Sequence, residues 1–186
     1  MKLLWVSADK FGSRMIRWGL GSDCSHFAVC FDEQDSLTYG VPRGIAFHSY
    51  GMGTQSLMLR DFLKFYTVIH ALEPIASVDE EAVYQAVINE EDERPYDYAA
   101  LLWFSWRGLL AKIGFQPIEL GELNQWQSEY ARLCTGIAPT VLKALGIALP
   151  KGVDPELIPP HDLFRLLTGT GKFTSNPRWV DLANEV

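Results

Sequence analysis

Apolar and polar positions along residues 1–75 follow the short runs and two-residue alternation of β-strands. Four runs rich in β-branched and aromatic residues, each bounded by Gly, Pro or polar residues, predict strands at 3–7, 25–31, 45–49 and 67–72. One more strand is expected at 37–39, ahead of a Gly-Val-Pro break. Between the first two strands, Asp9 is expected to cap a helix that ends near Leu20, and residues 51–53 are expected to form a flexible loop.

The second half of the chain has the three- to four-residue apolar spacing of helices, which predicts helices from 77 onward and at 96–106, 133–145 and 162–167. The segment 96–106 is apolar nearly all round, which is typical of a central buried helix. Strands followed by helices indicate one α+β domain, with a small, mainly antiparallel sheet and helices packed on one side of it. We expect this domain to span 1–168 and a C-terminal tail to follow at 169–186.

Composition agrees with one soluble domain, because 48% of the 186 residues are hydrophobic and 21% are charged. The formal net charge of -7 argues against nucleic acid or an anionic membrane as the main partner. No apolar run is long enough for a transmembrane segment, and the run at 3–6 is too short for a signal peptide. We therefore expect a protein that is cytoplasmic as synthesised. Action outside the cell would need another delivery route, as for a phage-encoded or virion-carried protein.

Three cysteines are too few and too irregularly spaced for a disulfide framework, and no C-x-x-C pair predicts a zinc site. Cys24 and Cys30 are expected to be buried structural thiols. They share a strand face with His26, but at ~3.3 Å per residue the two thiols would lie roughly 20 Å apart, too far to bind one ion. The sequence therefore predicts neither a metal ion nor another cofactor.

Cys134 is the candidate nucleophile because it lies where an apolar helix is expected to begin. A helix N-terminus and a neighbouring imidazole both lower the pKa of a thiol. Thr135 and Gly136 follow, leaving space for a substrate near backbone N–H groups that could bind an oxyanion. His26 lies on a strand face opposite the large apolar side chains, and His48 on a nearby strand could orient its ring. Taken singly, Cys134 could instead be a buried structural thiol, and His26 could be a partly exposed strand histidine.

Five short segments, in chain order, resemble the permuted branch of the NlpC-like amidases, which are papain-like enzymes with a rearranged strand order. The segments are SHFAV at 25–29, FH at 47–48, PYDY at 95–98, LCT at 133–135 and PHDL at 160–163. Lecithin retinol acyltransferase-like proteins and YiiX-like hydrolases belong to the same branch, in which the histidine strand precedes the cysteine helix. The resemblance implies a permuted papain-like fold for 1–168.

The resemblance also implies acyl transfer. His26 would take the proton of Cys134, His48 would orient His26, and a thioacyl intermediate would form and be hydrolysed. Tyr96 would line the site beside the cysteine, with Thr135 and Gly136 as substrate-binding positions. The chain departs from the family after the cysteine, where Ser then Glu often stand, and this departure bears on the choice of substrate.

The first hypothesis for the function is a cysteine amidase or endopeptidase that cleaves amide bonds in cell-wall peptides, with peptidoglycan as its partner. The first alternative is a lipid acyltransferase or acyl hydrolase on the same fold. The second is a non-catalytic structural or virion assembly protein that kept the fold and would bind an assembly partner.

Overall fold

The computed structural model describes residues 1–32, 44–50, 53–91, 95–115, 133–151, 153 and 158–185. The strands within these ranges are β1 (Lys2–Ser7), β2 (His26–Asp32), β3 (Gly44–Tyr50), β4 (Gly53–Met58), β5 (Thr67–Pro74) and β6 (Phe173–Ser175). They form one antiparallel sheet in the order β4-β3-β2-β1-β5-β6. The first strand of the chain therefore lies in the interior of the sheet, between β2 and β5.

The α-helices in the same ranges are α1 (Phe11–Leu20), α2 (Leu59–Leu63), α3 (Glu80–Glu91), α4 (Tyr98–Lys112), α5 (Ala138–Ala144), α6 (Pro160–Gly169) and α7 (Pro177–Asn184). A 3-10 turn, Cys134–Ile137, leads directly into α5. The predicted α+β class with a small antiparallel sheet is confirmed.

Helices cover both faces of the sheet, so the prediction of helices on one side is wrong. One face, which includes Trp5 and Phe27, packs against α3, α5 and α6 in the first core. The other face, which includes Val6, Ala28 and Cys30, packs against α2 and α7 in a second core. Alternate residues of a strand point to opposite faces, and in β1 both sets are apolar. The interior strands therefore read as continuous apolar runs.

The C-terminal residues are packed and do not form the predicted tail. Ser175 in β6 pairs with Leu72 of β5, and Trp179 of α7 is fully buried in the second core. The Asn184 amide group binds both the N–H and the C=O of Val68, at 2.9 Å each. The domain boundary at 168 is wrong because a three-residue strand and a two-turn helix leave too little apolar periodicity to be recognised.

Several local predictions also need correction. Gly53, expected in a loop, begins β4, and β4 and α2 occupy a stretch for which no element was predicted. The expected strand at 37–39 and the rest of the expected loop, 51–52, lie outside the described residues. Asp9 does not cap α1, because its carboxylate instead accepts a hydrogen bond from Arg14 Nε at 2.8 Å. The predicted helix at 133–145 is found as the 3-10 turn followed by α5.

Helix α4 lies at the surface, not at the centre of the domain. Trp103 and Phe104 are buried on one side, whereas Leu102 and Trp106 on the opposite side are exposed. The covered side packs against α1, where a Cβ on Gly108 would lie 2.5 Å from a backbone oxygen of α1. An all-round apolar helix is buried only where other elements cover it, and here they cover one side. Within the described ranges, no helix is long and apolar enough to cross a membrane.

Candidate active site

Two histidines form a hydrogen-bonded pair on neighbouring strands. His26 is the first residue of β2, and the register of β2 with β3 pairs Ala28 with His48. His26 Nε2 lies 2.9 Å from His48 Nδ1, and the two rings are nearly perpendicular, with an interplanar angle of 89°. The structure thus brings together the predicted base and the residue predicted to orient it.

Both imidazoles are buried, so the alternative of His26 as a partly exposed strand histidine is wrong. Tyr66 stacks on the His26 ring, with centroids 5.2 Å apart and an interplanar angle of 14°. Burial lowers the pKa of His26 well below its usual value, and the neighbouring His48 charge lowers it further. Burial likewise lowers the pKa of His48 to about 4. Both rings are therefore neutral at pH 7.

Cys134 is the first residue of the 3-10 turn and packs against β2. Backbone N–H groups of Phe27 and Thr135 donate to its sulfur, which favours the thiolate. Burial outweighs them, because only 6% of Cys134 is exposed, and raises the pKa of the thiol to about 11. Phe27 follows His26 in β2, so one strand supplies both the imidazole and a donor to the sulfur. The Cys134 thiol is therefore protonated at pH 7.

The histidine pair determines which nitrogen of His26 can act as a base. Because Nε2 binds His48, Nδ1 is the nitrogen left to take a proton. His26 must then carry its own proton on Nε2 and donate it to His48 Nδ1, so His48 carries its proton on Nε2. A side-chain nitrogen of Gln55 lies 3.4 Å from that His48 Nε2. If the amide were rotated by half a turn, the Gln55 oxygen would stand there instead and would accept a hydrogen bond from His48 Nε2–H.

A cavity of about 190 Å³ adjoins His26. Four tyrosines line much of it: Tyr50, Tyr66, Tyr96 and Tyr98. A smaller cavity of about 20 Å³ adjoins Cys134 and Thr135, and it shares Ser25 and Leu101 with the larger one. His26 therefore lines the larger cavity and Cys134 the smaller one, and the two cavities have lining residues in common.

Tyr96, predicted beside the cysteine, lines the larger cavity together with Tyr66. Burial raises the pKa of both phenols, and the nearby Cys134 thiolate would raise them further. Both hydroxyl groups therefore stay protonated near neutral pH and can donate hydrogen bonds.

The two residues after the cysteine are buried in the 3-10 turn. The N–H of Gly136 donates to the Leu133 oxygen at 2.9 Å, and the N–H of Thr135 donates to the Cys134 sulfur. The structure therefore does not offer Gly136 as an oxyanion donor, because the turn already uses its amide. Thr135 lines the smaller cavity, and its role toward a substrate stays a prediction.

Sequence reasoning missed Tyr66 and Gln55. Tyr66 lies between α2 and β5, and Gln55 lies in β4. The sequence prediction contained neither α2 nor β4. Neither residue belongs to a recognisable motif. The sequence of Gly53–Met58 has no alternation of apolar and polar residues, so no sequence pattern signals the strand that carries Gln55.

No family model and no curated protein matches the sequence. Among solved structures, the fold is similar to that of the metalloprotein yiiX from Escherichia coli O157:H7, with a TM-score of 0.50 and 13% sequence identity. The similarity covers 94% of this chain and 94% of that one. The two proteins share a fold. The likeness to yiiX agrees with the YiiX-like branch that the sequence motifs resemble, and it concerns the fold alone.

Because yiiX is called a metalloprotein, the donor set of this chain bears on whether it could hold a metal ion. Within the described ranges, no three side chains of His, Cys, Asp or Glu lie close enough together to ligate one ion. The His26–His48 pair thus offers two nitrogens that already bind each other, without a third ligand among the described residues. These described residues do not fit a metal centre.

Proposed function

We propose that the protein is a cysteine hydrolase in which Cys134 attacks an acyl carbon, His26 is the base and His48 orients His26. The observation that carries the proposal is the 2.9 Å hydrogen bond between the two buried histidines. It is supported by Cys134, whose sulfur accepts from the amide of Phe27, the residue that follows His26. The neighbouring cavity provides room for a substrate.

The neutral resting state decides the order of proton transfer. A thiol with a pKa of about 11 is protonated at pH 7, so His26 removes its proton while the sulfur attacks the carbonyl carbon. The tetrahedral intermediate expels an amine or alcohol, which takes that proton from His26. Water, deprotonated by His26, then attacks the thioacyl carbon and releases the acid and the free thiol. The phenols of Tyr66 and Tyr96 are donors near the developing oxyanion.

The first substrate class is an amide bond in a cell-wall peptide, as the sequence resemblance implies. An ester or amide of a lipid is the second, because α1 and α4, which carry exposed apolar side chains, also contribute residues to the cavity lining. One observation favours the non-catalytic alternative: Cys134 is 6% exposed, and its pKa is raised rather than lowered. Catalysis by the buried Cys134 thiol would require that the substrate opens the tyrosine-lined cavity when it binds.

The test compares wild-type protein with Cys134→Ala and His26→Ala, using isolated peptidoglycan and short-chain acyl esters as substrates. We expect a loss of at least ~100-fold in rate in both variants, and an acyl adduct on Cys134 by mass spectrometry. His70→Ala is the matched control, because His70 binds Asp23 away from this cavity. Full activity in Cys134→Ala, or no adduct with any acyl donor, would leave the non-catalytic alternative.

A further inference from the structure

Helix α1 carries an apolar stripe that faces away from the domain. Phe11, Met15 and Trp18 recur every three or four residues, and 80%, 40% and 51% of their surfaces are exposed. This spacing places them on one side of the helix. Scattered exposed apolar residues are normal, whereas a continuous stripe of large ones marks an interaction surface.

Helix α4 carries a second stripe with the same spacing. Its exposed residues are Tyr98, Leu102, Trp106, Leu109 and, just past the helix, Ile113. Leu102 is 62% exposed and Ile113 is 65% exposed. The buried residues of α4 lie on the opposite side, so the helix has one covered and one uncovered apolar side.

The two stripes belong to one surface, because α1 and α4 pack side by side. A Cβ on Gly108 would lie 2.5 Å from the oxygen of Gly19, and the Lys112 ammonium lies 4.8 Å from the centre of the Trp18 ring. Near their N-terminal ends, the helices share the cavity beside His26, which Ser13 and Leu101 line. We call the two stripes together the α1/α4 face.

The charge on these two helices is opposite in sign to that of the chain. Their exposed basic residues are Arg14 and Lys112, whereas Arg17 and Arg107 are half-buried with their Nε atoms enclosed. Neither helix contains Asp or Glu, although the formal net charge of the protein is -7. Asp9, which binds Arg14 just before α1, is offset by Lys10. Long basic side chains can lay their methylene groups on an apolar surface and keep the charge in the headgroup layer of a bilayer.

We propose that the α1/α4 face docks the protein on the surface of an anionic lipid bilayer. Exposed Trp and Phe side chains beside basic residues are typical of helices that lie in the membrane interface, and Lys or Arg near an anionic surface strengthens the binding. A second copy of the chain is disfavoured, because it would bring two basic faces together. The proposal runs against the expectation, drawn from the net charge, that an anionic membrane is not the main partner.

This proposal goes beyond the proposed function, since docking needs neither Cys134 nor His26. It adds a geometric consequence for catalysis. The cavity beside His26 is lined by residues of both helices, so docking would bring its opening close to the lipid surface.

The experiment is co-sedimentation of the full chain with vesicles of phosphatidylcholine, with and without phosphatidylglycerol. We expect binding to the anionic vesicles, weakening at high salt, and a loss of at least about tenfold in the partition coefficient in a Phe11→Ser, Leu102→Ser double variant. The matched control is Met58→Ser with Ile75→Ser, which are 61% and 63% exposed and lie outside this face. Cys134→Ala should bind as the wild type does.

Tryptophan fluorescence supplies a second readout. The blue shift on binding should be lost in a Trp18→Phe, Trp106→Phe variant, because these two rings lie on the α1/α4 face. No binding to anionic vesicles, or equal loss in the control variant, would overturn the proposal. The proposal would also be overturned if the wild type were a dimer that does not bind vesicles and the Phe11→Ser, Leu102→Ser variant were a monomer. That result would assign the face to a second copy of the chain.

Discussion

At the residue scale, the candidate site is governed by burial more than by charge. Burial raises the pKa of the Cys134 thiol and lowers the pKa of both imidazoles, so all three groups are neutral at pH 7. In a neutral site, the position of each imidazole proton decides whether His26 can act as a base. That position depends on the hydrogen bonds made by His48.

Gln55 is expected to be a positioning residue for the histidine pair. Gln55→Leu removes the acceptor for the His48 Nε2 proton, and loss of one neutral hydrogen bond of about 1.4 kcal/mol corresponds to a tenfold lower kcat with little change in KM. Gln55→Glu keeps an acceptor and should retain activity. The nitrogen-15 NMR shifts of His48 check the cause, because they show which of the two ring nitrogens carries the proton. An unchanged tautomer in Gln55→Leu would contradict this role.

At the element scale, the strands around the site were predictable, since β1, β2, β3 and β5 are apolar runs with clear boundaries. The pairing of His26 with His48 followed from neighbouring strands. The burial of His26 could not be predicted, because α2 and Tyr66 cover that face and no sequence pattern indicates them. The exposure of α4 could not be predicted either, since apolar spacing does not say whether a partner covers a helix.

The contact between α1 and α4 depends on Gly108. Gly108→Ala is expected to lower the free energy of unfolding by about 1–3 kcal/mol, because its Cβ would lie 2.5 Å from the Gly19 oxygen and the backbones must separate. Gly12→Ala is the control in the same helix pair. No atom lies within 4 Å of a Cβ at Gly12, so this change should be neutral or stabilising. Urea unfolding of both variants measures the difference, and equal effects would rule out the close approach.

Helix α7 is expected to be part of the cooperative structure. Trp179→Ala should cost about 3–5 kcal/mol in free energy of unfolding, because the ring is fully buried in the second core. Trp106→Ala is the matched control, since about half of that side chain is exposed, and it should cost much less. Thermal and urea unfolding measure both. A small effect of Trp179→Ala would restore the view of residues 169–186 as a tail.

At the scale of the whole molecule, the two buried histidines couple folding to pH. Their pKa values are lower in the folded state, so the unfolded chain binds more protons below pH ~6.5. As far as these two groups determine it, the free energy of unfolding should therefore be highest above pH ~6.5 and should decrease as the pH drops toward 4. His48 alone would contribute roughly 3 kcal/mol to this fall, from its shift of 6.5 to about 4.

Urea unfolding between pH 7.5 and 4.5 measures this dependence. His48→Gln should flatten the slope, whereas His70→Ala, which removes a half-buried histidine bound to Asp23, serves as the control. A wild-type stability that is constant from pH 7 to 5 would contradict neutral burial of the pair.

The interior place of β1 has a consequence for how the protein is made. Translation delivers β1 first, and β2 can cover one of its edges once residue 32 has left the ribosome. The other edge waits for β5, Thr67–Pro74, and an unpaired apolar edge invites pairing with other chains. Chaperone binding and aggregation should therefore be greatest for nascent chains that include β2 but not yet β5.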